Sequence, residues 1–150
     1  MLSNTNRWLS RLVENLEVSG VAHRNLIGGC SDLEIGQVSA GRDLPRSYIE
    51  FLKMLGQGAG RFFLGTDIFY PSVLGMNGDA EELLRDCESG LVLPDEAFVF
   101  AMHQGYEFLF FRIDQGDDPL VYRFREGWKR FEPVSSIFSE YILAASLQSW

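Results

Sequence analysis

Cysteine and histidine are both scarce: the 150-residue chain has two of each, Cys30 and Cys87, His23 and His103. Two thiols far apart in the chain do not make a disulfide framework. They read as free, buried thiols of a reducing compartment. The four residues also lack the close C-x2-C or H-x3-H pairs of a zinc site, so no metal and no cofactor is expected. Positive charge is short as well, with 13 Lys+Arg against 21 Asp+Glu and a net charge of −8. The densest basic stretch is Arg123, Arg125, Lys129 and Arg130, interrupted by Phe124, Glu126 and Trp128. A phosphate backbone repels such a chain, so no nucleic-acid partner is expected. Long apolar runs are missing: nothing approaches the roughly 20 residues of a membrane span. The opening "MLSNTNRWLSRLVENLEVSG" carries charges throughout and does not read as a signal peptide. No membrane partner and a cytoplasmic location follow as expectations. Repeats, low-complexity tracts and Pro/Ser-rich linkers are absent too, so residues 1–150 read as one domain.

What is present is apolar and aromatic. Hydrophobic residues make up 46 % and the chain holds 12 Phe. That is enough for a sizeable core of flat side chains, which suits sheets.

The elements follow from spacing. Residues 5–17 put Trp8, Leu9, Leu12, Val13 and Leu16 on one helical face, ended by Ser19-Gly20. Ser31 with Glu34 has the form of a capping box opening a short helix over 31–38. In "DLPRSYIEFLKMLGQGAG", Pro45 suits a first helical turn, Tyr48, Phe51, Leu52 and Leu55 make the stripe, and Gly56 is a natural stop. "RFFLGT" at 61–66 reads as a strand, followed by loop over 67–76. Residues 78–90 read as a helix with acids in its first turn, closed by Gly90.

Strands then succeed one another. They are placed at 97–102, at 106–113 after a turn at Gly105, and at 120–125 after the polar loop "DQGDDP". The 106–113 strand is apolar on both faces, with Phe108 and Phe110 against Leu109, Phe111 and Ile113, and so is placed centrally. In 120–125, Tyr122 and Phe124 face one way and Val121, Arg123 and Arg125 the other. "GWKRFEPV" adds a turn and one more short strand. Ser136 then caps a last helix with Ile137, Tyr141 and Ala144 facing inward. The fold class is α+β: a central antiparallel sheet packed with helices.

Few constellations carry chemistry. His103 is the one candidate general base, histidine being the side chain suited to proton transfer at neutral pH. It stands at a strand end without a visible nucleophile or orienting group, so no catalytic set is assigned. "GQGAG" at 56–60 follows a helix and opens a strand, the reverse of a phosphate loop. Carboxylates are plentiful: Asp79, Glu81 and Glu82 in a first helical turn, and Asp114, Asp117 and Asp118 in a loop. They read as solvated, or as an acidic contact surface for a basic partner.

Three segments together resemble the SUKH superfamily, the group that includes the yeast cell-wall-synthesis regulators. Leu44, Pro45, Tyr48, Phe51 and Leu52 match its Leu-Pro-x-x-Tyr-x-x-Phe-Leu signature. The Asn-Gly that often follows in relatives is replaced here by Gly56-Gln57-Gly58. "FVFAMHQGYEFLFFRI" is similar to the strand–Gly–strand centre, and "DDPLVYRFREGWKRFEPVSSIFSEYI" to the Pro-x-Val-Tyr strand and closing helix. The likeness covers roughly residues 30–145, leaving 1–29 as an N-terminal helical extension. It implies an α+β domain with a non-enzymatic, protein-binding role. In single-domain bacterial members that role is commonly immunity, the neutralising of a cognate polymorphic toxin. The partner this implies is a protein toxin, many such toxins being nucleases with basic surfaces, met by a monomer or weak homodimer. Charge and placement beside the hairpin loop nominate Glu107, Asp114, Asp117 and Asp118 as its contacts. A regulatory scaffold that binds an endogenous protein, and a small enzyme built on His103, are the alternatives.

Overall fold

The computed structural model of the protein describes residues 4–150, with side chains from Arg7 onward. The first three residues of the expected N-terminal extension lie outside the described residues. Helix α1 spans Asn4–Val18. A 3₁₀ turn at Arg24–Leu26 leads into β1, Ile27–Gly28. Helices α2 (Asp32–Ser39) and α3 (Arg46–Leu55) follow. Short strands β2 (Gly58–Ala59) and β3 (Thr66–Asp67) precede α4, Met76–Asp86. The meander is β4 (Ala97–His103), β5 (Glu107–Arg112), β6 (Leu120–Arg125) and β7 (Glu132–Ile137), closed by α5, Phe138–Ala145.

β3 to β7 form one antiparallel sheet whose strand order follows the chain, and β1 with β2 forms a two-stranded ribbon. β5 is central, and Phe108, Leu109, Phe110 and Phe111 are all buried on its two faces. On one face Tyr48 of α3 sits among Phe98, Phe111 and Phe138, with ring centroids at 5.1, 5.2 and 5.5 Å. On the other, Phe110 meets Phe131 at 5.1 Å and Phe108 meets Phe124 at 5.3 Å. Each such ring contributes about 1.5–3 kcal/mol through burial, and edge-to-face pairs add about 1 kcal/mol. Helix α1 belongs to the same core, with Leu12 and Leu16 fully buried.

The capping box of α2 forms as expected: the Ser31 side chain accepts from Glu34 N–H at 3.2 Å, and Ser31 N–H donates to Glu34 Oε1 at 2.8 Å. Pro45 stands one position earlier than a first-turn residue, at the N-cap of α3. Gly56 stops α3 for a different reason from the left-handed turn expected. Its φ is −63°, but a Cβ there would fall 2.6 Å from both Cys30 Sγ and Leu52 O. The adjoining strand needs the same room, since a Cβ on Gly29 would sit 1.8 Å from Lys53 O. These two glycines let residues 28–30 lie directly on the end of α3, where Cys30 N–H donates to Leu52 O at 2.8 Å. Both cysteines are free, Cys30 buried and Cys87 only half-buried. Burial, with the Glu34 carboxylate adding, pushes the Cys30 thiol up to about 11.

Other expectations need correcting. Residues 61–65 are turns, and only Thr66 of "RFFLGT" is strand. Phe63 has φ +58°, and the buried Phe62 and Phe63 rings pack on each other and on Trp150. Helix α4 begins at Met76, two residues before the expected start, and ends at Asp86, ahead of Gly90. Ser136 lies in β7 and does not cap α5, which has Ile137 at its N-cap and no side-chain cap of its own. The buried face of α5 is Phe138, Ile142 and Ala145. Ala144 is exposed, while Ile137 and Tyr141 are half-buried.

Candidate functional site

The nominated residues lie at the two ends of β5. Glu107 opens the strand and Arg112 closes it, a separation of about 17 Å at roughly 3.4 Å per residue. The β5–β6 loop gathers Asp114, Asp117 and Asp118 at one end, and Glu107 stands at the other.

At the loop end Arg112 grips Asp114 with two parallel bonds, Nε to Oδ1 at 3.0 Å and Nη2 to Oδ2 at 2.9 Å. Nη2 also reaches Glu96 Oε2 at 3.4 Å. Those bonds, with the guanidinium charge, hold the Asp114 carboxyl below the usual carboxylate range. Asp117 is exposed, and its carbonyl accepts from Ser47 N–H at 2.9 Å, tying the loop to the start of α3. Asp118 turns inward. Its Oδ1 accepts from Ser139 N–H at 2.9 Å and its Oδ2 from the Ser139 hydroxyl. The neighbouring Pro119 carbonyl takes Phe138 N–H at 2.8 Å. The loop therefore supplies the cap that α5 lacks. Glu96, half-buried, and the exposed Asp114 and Asp117 present carboxylates on this end, and Arg112 is paired with the first two.

At the opposite end Glu107 is drawn into an ion pair across the hairpin. Arg125 is its register partner, and Arg125 Nη2 lies 2.7 Å from Glu107 Oε2. The Glu107 side chain is only 13 % exposed and Arg125 52 %. The pair forms one wall of a cleft of about 230 Å³ between the ends of β4 and β5, the C-terminal part of α5 and the β2–β3 connector. His103 stands in that cleft. Thr66, its register partner on β3, holds the ring by an Oγ1···Nδ1 hydrogen bond of 2.8 Å. The ring edge meets Tyr106 at a centroid distance of 5.5 Å. Tyr141 lines the cleft from α5, and burial pushes its hydroxyl up while the adjacent Arg123 charge and hydrogen bond pull it back.

A catalytic histidine needs a nucleophile and an orienting acid, whereas the nearest acid here is taken up by Arg125 and the ring's one hydrogen bond goes to Thr66. Among the described residues no three His, Cys, Asp or Glu side chains gather as metal ligands, and no helix is long and apolar enough to cross a membrane. Sequence reasoning named His103 and Glu107 but missed Thr66, Tyr106, Arg125, Tyr141 and Trp150 as their neighbours. They come from separate segments, so no spacing motif joins them. The one available signal was strand parity, since counting back across the β5–β6 loop pairs Glu107 with Arg125.

The SUKH_6 family model, described as SMI1-KNR4 cell-wall, matches residues 38–142, more than half of the chain. No curated protein matches the chain.

Proposed function

The chain belongs to the SUKH superfamily, and from that membership we propose that it is a non-enzymatic immunity protein that neutralises a cognate bacterial toxin by direct binding. The acidic loop carries the reading. It projects Asp114 and Asp117 from the β5–β6 hairpin, in a chain of net charge −8. A basic toxin surface, such as the phosphate-binding face of a nuclease, is its complement, and opposite charge speeds association. Asp114 and Asp117 make the contact. Asp118 and Glu107, whose carboxylates serve α5 and Arg125, hold the surface in shape.

Co-expression with a toxin encoded beside the gene tests this through cell survival. Protection is expected, together with a complex that weakens as salt rises. Replacing the exposed Asp117 by Lys is expected to weaken protection while leaving the thermal unfolding curve in place. Protection unaffected by salt would move the interface to apolar residues. No protection and no complex would sink the immunity reading and favour a regulatory scaffold.

A further inference from the structure

The His103 cleft lies at the far end of β5 from the acidic loop, and its electrostatics differ. The chain as a whole has 21 acids against 13 bases. Glu107 is the one acid lining this cleft among the described residues, and Arg125 engages it through Nε at 2.9 Å and Nη2 at 2.7 Å. That pairing leaves the half-exposed Arg125 with donor capacity on its outer nitrogen. Two residues along the same face, Arg123 stands behind Tyr141 with its Nε buried and unpartnered among the described residues. Glu132, opposite Arg123 in the sheet, is occupied by Arg130 at 2.7 Å. Glu107 and Arg125 balance each other, Arg123 adds a cation behind Tyr141, and the exposed Glu126, whose N–H donates to Tyr106 O at 2.8 Å, stands at the outer rim, so the cleft carries no acidic excess.

The remaining walls set the shape of what fits. The Trp150 and Phe63 rings lie 5.0 Å apart, tilted by 46°, and make an aromatic side to the cleft. The cleft's 230 Å³ exceeds the roughly 150 Å³ that holds benzene and falls short of a drug-sized site of about 300 Å³ or more. That is room for one ring with a short polar arm. The Thr66 Oγ1···His103 Nδ1 hydrogen bond of 2.8 Å engages one ring nitrogen, and where Thr66 is the donor the other, Nε2, is a second donor for an anion.

We infer that this cleft binds a free small aromatic carboxylate, its ring on the Phe63–Trp150 wall and its carboxylate on Arg125. The site is separate from the toxin-facing loop and does not depend on the immunity reading. It is tested on the purified protein with three probes of one shape and different charge: phenylacetate, 2-phenylethanol and phenethylamine. Calorimetry gives the affinities, and amide and indole NMR shifts locate the binding. Saturable binding is expected in the order acid, alcohol, amine, with shifts at His103, Glu107 and the Trp150 indole. Arg125→Gln is expected to weaken phenylacetate about tenfold or more, the loss of a charge-assisted bond. Glu107→Gln is expected to tighten it, because the only lining acid is neutralised. Variants that merely damage the fold would weaken binding in both cases. Tighter binding of phenethylamine, no saturable shifts with phenylacetate, or Glu107→Gln weakening it would each overturn the assignment.

Discussion

Tyr48 carries a hydroxyl into the centre of the aromatic core, where it has no hydrogen-bond partner among the described residues. Burial pushes that hydroxyl's pKa well up, with the neighbouring Cys30 adding. An unsatisfied buried hydroxyl costs about 1–3 kcal/mol. Tyr48→Phe keeps the ring contacts and removes only that oxygen. It is expected to raise stability by about 1 kcal/mol in urea denaturation, with the slope unchanged. A loss of stability would mean that the hydroxyl has a partner, such as the Cys30 thiol or a water. The tyrosine was legible in the sequence as a core position, through the Tyr48, Phe51, Leu52, Leu55 stripe. Its bare hydroxyl was not, because helical spacing reports which side a residue faces and says nothing of what waits there.

At the scale of elements, the loop acids divide into surface and scaffold. Asp118→Ala removes the cap on α5 and is expected to destabilise the protein by about 1–2 kcal/mol in chemical denaturation. Asp117→Ala, whose side chain is exposed, is expected to leave the unfolding midpoint nearly unchanged. Equal effects would contradict the capping role. This division matters for any interface scan, since lost binding in an Asp118 variant reports a frayed helix. The helices, the meander and the central position of β5 could be read from periodicity and turn residues. The inward stripe of α5 was read one residue out of phase. Ile137, Tyr141, Ala144 and Phe138, Ile142, Ala145 have the same spacing and are both apolar, and β7 runs into the helix without a loop to mark its start. "RFFLGT" misled for a related reason: two phenylalanines anchoring a turn give the apolar signature of a strand. The edges of the sheet were also unreadable. β3 pairs only with Met102 and His103, so the start of β4 is covered by side chains instead. Asn77 Nδ2 donates to Ala97 O at 2.9 Å, and Val99 N–H donates to Asn77 Oδ1 at 2.8 Å. On the other edge, Pro133 and the left-handed Ser135 (φ +61°) accompany a register shift in β7. Such features discourage edge-to-edge association.

For the whole molecule, opposite shifts bound the stable pH range. Glu34 ionises more readily in the folded chain, held first by Ser31 N–H and then by the Gln57 and Ser31 side chains, and Asp114 does so through Arg112. Their stabilisation is complete above the unfolded carboxylate pKa of about 4. It is lost as pH falls through the lower folded values, because the unfolded chain then binds more protons. Cys30 acts in the other direction. Its thiol ionises near 9 when free and about 11 when folded, so its share is complete below 9 and fades as pH climbs toward 11. Thermal melts across pH are expected to show a plateau between these limbs. Glu34→Gln, which keeps the capping geometry, is expected to flatten the acid limb, and Cys30→Ala the alkaline one. An unchanged limb in either variant would remove that group as its source.

The sheet order that follows the chain has a kinetic consequence. Each strand from β4 to β7 lies beside a neighbour in sequence, so these pairings close short loops and need no crossover, whereas β3 reaches β4 across α4. Folding of such a meander is expected to outpace that of a Greek-key sandwich of similar length. The β4–β5 and β5–β6 hairpins can form before the chain ends come together. Long-range closure is left to the termini, where Asn15 Nδ2 of α1 donates to Ser146 Oγ at 2.9 Å and Trp150 settles on Phe62 and Phe63. Both the loop and the cleft belong to β5, the middle strand of that early unit, but only the cleft waits for the distant Trp150 to complete its wall.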